Sequence, residues 1–155
     1  MSSISTIQTP CIGVCSTGIG DAVCRGCKRF CHEVIDWNRY APEQRQAVMT
    51  RLQDLLNQVV GSKIEGIDSK QLLRHLNYQQ IAHDKTQSPQ ALVYSLLRVG
   101  ANQIKDTRHF GFSIKLKWQN QSLASLKQKI DEDFYILSCA YYERFIEPTH
   151  LMTIK

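Results

Sequence analysis

Four cysteines within the first 27 residues, Cys11, Cys15, Cys24 and Cys27, form two short pairs, Cys-Ile-Gly-Val-Cys and Cys-Arg-Gly-Cys. Two thiolates two or three residues apart can grip one ion from a single tight turn, and structural zinc favours such pairs. The eight residues between the pairs are enough to cross one ion, so four sulfurs can close its shell. A segment of roughly 30 residues this poor in apolar side chains cannot fold on a core of its own. A structural zinc site supplies on the order of 10 kcal/mol of apparent binding free energy at neutral pH. The metal is therefore expected to hold this end of the chain together, with Cys11, Cys15, Cys24 and Cys27 as its ligands.

Ligand count does not identify the ion. Iron–sulfur clusters also take four cysteine thiolates, and Cys24, Cys27 and Cys31 imitate the short three-cysteine runs that such clusters use. A zinc ion is the first expectation and an iron–sulfur cluster the alternative; the latter would make the protein an electron carrier or redox sensor. Cys31 and His32 are candidates for an extra ligand, against a plainer reading of Cys31 as a small buried apolar residue. Cys24 and Cys27 alone would suit a thiol–disulfide switch, but the strand-to-helix setting that lowers thiol pKa in oxidoreductases is missing. Four thiolates on one zinc leave a net negative charge, which Arg25, Lys28 and Arg29 can offset. Gly13 and Gly26 are expected to open the turns so that backbone N–H groups reach the sulfurs.

Other chemistry finds little support. No phosphate-binding Gly-rich loop, nucleophile elbow or His-Glu-x-x-His motif occurs. A catalytic zinc needs an open position that four cysteines would fill. These absences argue against an enzyme, and no small-molecule substrate is suggested. Glu33 and Asp36, spaced i, i+3, read as a solvated helix face. His75, His83, His109 and His150 share no ligand spacing, and Cys139 sits in an apolar aromatic run as a core residue.

The 155 residues suit one domain, or a small module joined to a modest globular one. No apolar run approaches the roughly 20 residues that span a bilayer. The first ten residues read as a loose leader without the basic and apolar regions of a secretory signal, so a cytoplasmic location is expected. In a reducing compartment closely spaced cysteines favour metal over disulfides. The fold class expected is α+β: a cysteine-knuckle metal module with its helix over residues 1–60, then a small mixed domain of helices and antiparallel strands over 61–155.

Helical character begins after Cys27, where Cys31, Val34, Ile35 and Trp37 give a short apolar face, with Trp37 packing on the next helix. From Pro42 to Val60 the positions Val48, Leu52, Leu55, Leu56, Val59 and Val60 repeat at helical spacing, with Gly61 as a stop. Residues 61–66 read as a linker. A helix follows from Ser69 as N-cap, with Leu72, Leu73 and Leu76 inward. After a polar break at 83–87, Ser88-Pro89 opens another that runs to Gly100. Residues 109–118 alternate Phe110, Phe112, Ile114, Leu116 and Trp118 with polar and basic residues, which predicts a strand with one buried and one basic face. A helix is expected over 122–131. Residues 134–145 fit either period, and their aromatic density favours a strand. A short edge strand is expected over 151–154.

The net charge of +5 is concentrated. Arg98, Lys105, Arg108, Lys115, Lys117, Lys127 and Lys129 are opposed within their stretch only by Asp106. Such an excess suits contact with RNA, a ribonucleoprotein or an acidic protein surface, or else forms a solvated face.

The run Pro10-Cys11-Ile12-Gly13-Val14-Cys15, then Cys24-Arg25-Gly26-Cys27-Lys28-Arg29, then Glu33-Val34 and Trp37, resembles the bacterial family catalogued as domain of unknown function 1289. The resemblance continues through Glu43, Arg45, Val48 and Leu52, over about residues 9–56. Proteins of that family are often labelled predicted iron–sulfur proteins, which is what the resemblance implies for a cofactor. The family usually has Thr where this chain has Phe30, and Cys31 and His32 also depart from its pattern. Residues 60–155 carry no such resemblance.

Overall fold

The computed structural model describes residues 7–81, 83 and 87–149. Its helices are α1 (Cys31–Asp36), α2 (Pro42–Gly61), α3 (Ser69–Tyr78), α4 (Pro89–Gly100) and α5 (Leu123–Tyr141). Two short strands, β1 (Ile64–Glu65) and β2 (Ser113–Ile114), pair antiparallel with Ile64 opposite Ile114. The chain is α+β and mostly helical. Among the described residues no helix is long and apolar enough to cross a membrane. The backbone divides into two units: residues up to Leu55 together with those from Phe134 onward, and Leu56–Asp133. The edge strand expected over 151–154, His150 and part of the 83–87 break lie outside the described residues.

In the first unit, Val23 and Phe30 form an antiparallel bridge that closes a hairpin over the second cysteine pair. Phe30 is fully buried, and the rings of Tyr141 and Tyr142 lie 6.1 and 5.2 Å from it. Glu33, expected on a solvated face, is buried instead. Its Oε1 accepts the Phe30 N–H at 2.9 Å, and both its oxygens take the Arg51 guanidinium at 2.6 Å. Arg51 in turn lies 3.9 Å over the Phe30 ring. α1 therefore turns a carboxylate inward and leaves Ile35 exposed, the reverse of the apolar face the spacing suggested. Trp37 is buried, with Arg29 and Arg45 over its ring, and its carbonyl accepts from Arg45 Nε on α2 at 3.0 Å.

Residues 134–145 are helical, not extended. α5 runs through Tyr141 and widens into a π-turn over Tyr142–Ile146. Tyr141 and Phe145, one helical turn apart, have ring centroids 4.8 Å from each other, whereas in a strand the same i, i+4 pair would share a face but stand about 13 Å apart. The π-turn sits just ahead of Pro148, which has no N–H for the Arg144 carbonyl and would clash with it in a regular helix. Ser138, fully buried within α5, donates Oγ to the Phe134 carbonyl at 2.8 Å, so no polar atom is stranded.

In the second unit, Leu72 and Leu76 of α3, Val93, Leu96 and Leu97 of α4, and Leu126 and Ile130 of α5 are buried with Val60, Ile64 and Phe112. Asp68, not Ser69, caps α3: its Oδ1 accepts the N–H groups of Lys70 and Gln71. Ser88 caps α4, accepting the Ala91 N–H at 3.1 Å. The expected strand over 109–118 shrinks to Ser113–Ile114, and two features account for this. Gly111 has φ +98°, and a Cβ there would stand 2.9 Å from the Asp68 carbonyl, so the chain turns as it meets the start of α3. The partner β1 spans only two residues, and beyond Lys115 the chain coils into a single 3-10 turn over Leu116–Trp118, leaving Leu116 exposed. The expected linker at 61–66 thus contains a paired strand.

Removing one member of a buried ion pair leaves an uncompensated charge, at about 3–5 kcal/mol. Glu33→Ala is expected to lose that much in urea unfolding. The double change Glu33→Leu with Arg51→Met is expected to recover a large part of it, since two apolar side chains then replace the pair. Equal losses in the single and double variants would contradict this arrangement.

Candidate functional site

The Cys24–Cys27 turn is the tip of the Val23–Phe30 hairpin. Cys24 N–H donates to the Arg29 carbonyl at 2.9 Å, and Lys28 N–H donates back to the Cys24 carbonyl at 2.8 Å. Closing so short a loop puts Lys28 in the left-handed region at φ +65°. For a residue with a Cβ that costs roughly 1–2 kcal/mol. The side chain offsets it: Nζ, fully buried, donates to the carbonyls of Arg25 and Gly26 at 2.6 and 3.1 Å. The backbone N–H groups of Cys27, Ser16 and Gly26 lie where they favour the thiolate form of Cys24.

The first cysteine pair lies against this turn. A Cβ on Gly26 would stand 2.2 Å from the Val14 carbonyl oxygen, which also accepts from Cys24 Sγ at 3.5 Å. Gly26 is therefore needed for close backbone approach and not for positive φ, which Gly13 supplies at +87°. Gly13 N–H reaches Cys11 Sγ at 3.4 Å, the N–H···S contact expected of a knuckle. Cys15 Sγ is 3.0 Å from Thr17 Oγ1. Ser16, buried behind it, accepts the Arg25 N–H at 2.8 Å and fastens the two segments.

The sulfurs differ in setting. Cys24 and Cys27 are buried in one turn, whereas Cys11 and Cys15 are exposed. Burial alone would raise the Cys24 thiol pKa, but the three N–H groups and the Cys27 side chain bring it down to about 7. Burial wins at Cys27, whose pKa is raised although Arg29 Nε donates to its sulfur at 3.2 Å. Of the three cations expected to offset thiolate charge, Arg29 thus touches a sulfur and Lys28 the turn's carbonyls. Arg25 pairs with Asp21 at 3.2 Å and lies over the Tyr135 ring. All six cysteines are free thiols.

Cys31 and His32 begin α1, both half-buried, with the His32 ring 5.9 Å from Phe30. Among the described residues no three His, Cys, Asp or Glu side chains converge to hold an ion. The structure brings together Cys24 with Cys27, and the backbone of the first pair with that of the second, while the sulfurs of Cys11 and Cys15 keep local partners. The donor chemistry, four thiols with N–H groups on two of the sulfurs, fits a soft ion.

The basic residues all fall in the second unit. β-pairing sets Lys115 beside Lys63, whose carbonyl accepts the Lys115 N–H at 2.8 Å. Lys63, buried and overlooked by the sequence reading, pairs with Asp133 at 2.7 Å; Lys129 shares that carboxylate at 3.2 Å. Burial acts to raise the Asp133 pKa, but the two lysines hold it below the usual carboxylate range. Lys63 and Lys117 both lie over the Trp118 ring, at 4.7 and 5.5 Å. Among the described residues no ion pair or ring contact joins Arg98, Lys105, Arg108 or Lys127 to this group. His75 and His109, which share no ligand spacing in sequence, have ring centroids 4.9 Å apart, with Phe110 beside both. Their 34-residue separation gives no signal that they meet.

The Cys24 thiol is expected to titrate near 7 in metal-free, reduced protein, followed by its 13Cβ shift, with Cys27 titrating above the ordinary 9.0. Because the folded value is depressed, the thiolate's contribution to stability grows from pH 7 to pH 9 and is lost as pH falls through 7. Cys24→Ser is expected to flatten that rise. Two midpoints at the ordinary thiol value would contradict the N–H···S geometry.

Neither a curated protein nor a solved structure matches the chain. The cysteine hairpin, α1 and most of α2 coincide with a match to one family: residues 9–56 fit the family model described as Protein of unknown function (DUF1289).

Proposed function

We propose that the protein is a noncatalytic adaptor whose N-terminal hairpin is fixed by one soft metal ion, a zinc ion, held by Cys11, Cys15, Cys24 and Cys27. The reading rests on one observation: Cys24 and Cys27 sit buried in one tight turn, with the backbone of the Cys11–Cys15 segment lodged against it through Val14. N–H groups aimed at a sulfur stabilise the thiolate, which is the form that binds metal. The ion supplies charge neutralisation and a rigid link between the two segments. This chain's own residues do the rest. Lys28 binds the Arg25 and Gly26 carbonyls of the turn, Arg29 adds positive charge beside Cys27, and Gly26 lets the segments touch. The basic residues of the second unit give the adaptor a surface for an acidic partner, RNA or a ribonucleoprotein in particular.

Anaerobic purification with elemental analysis and an absorption spectrum tests the metal. A colourless protein with one zinc per chain is expected, reduced to little or none in Cys24→Ser. A brown preparation containing iron and acid-labile sulfide would replace zinc with an iron–sulfur cluster on the same ligands. Reduced protein that takes up neither metal would end the proposal. Chelation is expected to lower the melting temperature of the loaded protein and to leave Cys24→Ser unchanged.

A further inference from the structure

We propose that Trp118, with Lys115, Lys117 and Lys129, forms a stacking platform for single-stranded nucleic acid. This deepens the reading of the second unit as a surface for an acidic partner and rests on it; the metal site plays no part. Trp118 is half-exposed at the end of the Leu116–Trp118 turn. Its N–H donates to the Lys115 carbonyl at 2.8 Å, and the Gln119 side chain donates to the Ile114 carbonyl at 2.9 Å, so the turn is fixed to the end of β2. Lys63, buried and anchored by Asp133, sets its ammonium over the ring. A large aromatic side chain is thus held in a defined place while part of it stays open to solvent.

Positive charge gathers around it. Asp133 is shared by Lys63 and Lys129, and among the described residues no carboxylate pairs with Lys115 or Lys117. Lys117, exposed, lies over the ring at 5.5 Å, and Lys115 leads into the same turn. A ligand that fits must be anionic at short intervals and carry flat π faces. Unpaired bases on a phosphate chain meet both needs, because every base stacks on an aromatic face and each phosphate suits an ammonium. A duplex hides its base faces and a lipid headgroup has none.

The test uses full-length protein and labelled oligouridylate and oligodeoxythymidylate of about twelve nucleotides, in the size range of such sites. A duplex of the same length and anionic phosphatidylserine vesicles serve as competitors. Wild-type protein is expected to bind the single strands, with quenching of tryptophan fluorescence, and to prefer them to the duplex. Trp118→Ala should weaken binding roughly 10-fold or more and remove the quenching, with Trp118→Phe recovering most of the affinity. Lys115→Glu with Lys117→Glu should reduce the slope of log affinity against log salt by about 1.4, at ~0.7 per single-strand phosphate contact. Affinity unchanged in both Trp118 variants but lost on charge reversal would overturn the platform and leave the acidic-partner reading standing. Binding to the duplex or the vesicles at least as tight as to the strands would also overturn the platform. Wild-type binding to neither strand nor duplex would end the nucleic-acid reading altogether.

Discussion

The Arg51 guanidinium joins the parts of the first unit. It grips both oxygens of Glu33, lies over Phe30 and stands 5.9 Å from the Tyr141 ring. Phe30 is the base of the cysteine hairpin, Glu33 belongs to α1, Arg51 to α2 and Tyr141 to α5. One charged group thus ties together four segments. A cation with a flat face can do this where an aliphatic side chain cannot, because it offers hydrogen bonds in its plane and π contact above it. The hairpin's tip is built on that base. The direction of the Cys24–Cys27 N–H groups depends on a strand bridge whose far residue is Phe30.

Helix positions were largely legible because they rest on local signals. Pro42 and Gly61 bound α2, and Ser88-Pro89 and Gly100 bound α4, through backbone chemistry that needs no tertiary partner. The strand at 109–118 and the one at 134–145 failed for the opposite reason. Alternation says which residues could face a core, but pairing needs a partner of equal length, and β1 offers two residues. The aromatic run after Phe134 satisfied both periods, and only the position of Phe30 and its neighbours decides between them. Of the candidate site, the four cysteines and the glycines between them stood out from spacing alone. Lys63, Trp118 and the inward turn of Glu33 did not, since each acquires its setting from residues distant in sequence.

The two units solve their electrostatics differently. Near the sulfurs, cations are consumed by specific acceptors: Lys28 by carbonyls, Arg29 by a thiol and an indole, Arg25 by Asp21. Around Trp118 the lysines outnumber the acceptors, so positive charge remains directed at solvent. The same residue type therefore shapes a turn in one place and leaves a field in the other.

The first unit is assembled from two stretches of the chain, with Leu56–Asp133 interposed. During synthesis the cysteine hairpin, α1 and the start of α2 precede Leu56–Asp133, and the aromatic rings that cover Phe30 follow it. Until they leave the ribosome, the hairpin must survive without its lid, on its own hydrogen bonds and the Glu33–Arg51 clasp. Vectorial translation thus leaves the thiols of the hairpin uncovered for an interval before the aromatic rings that follow Asp133 close over its base.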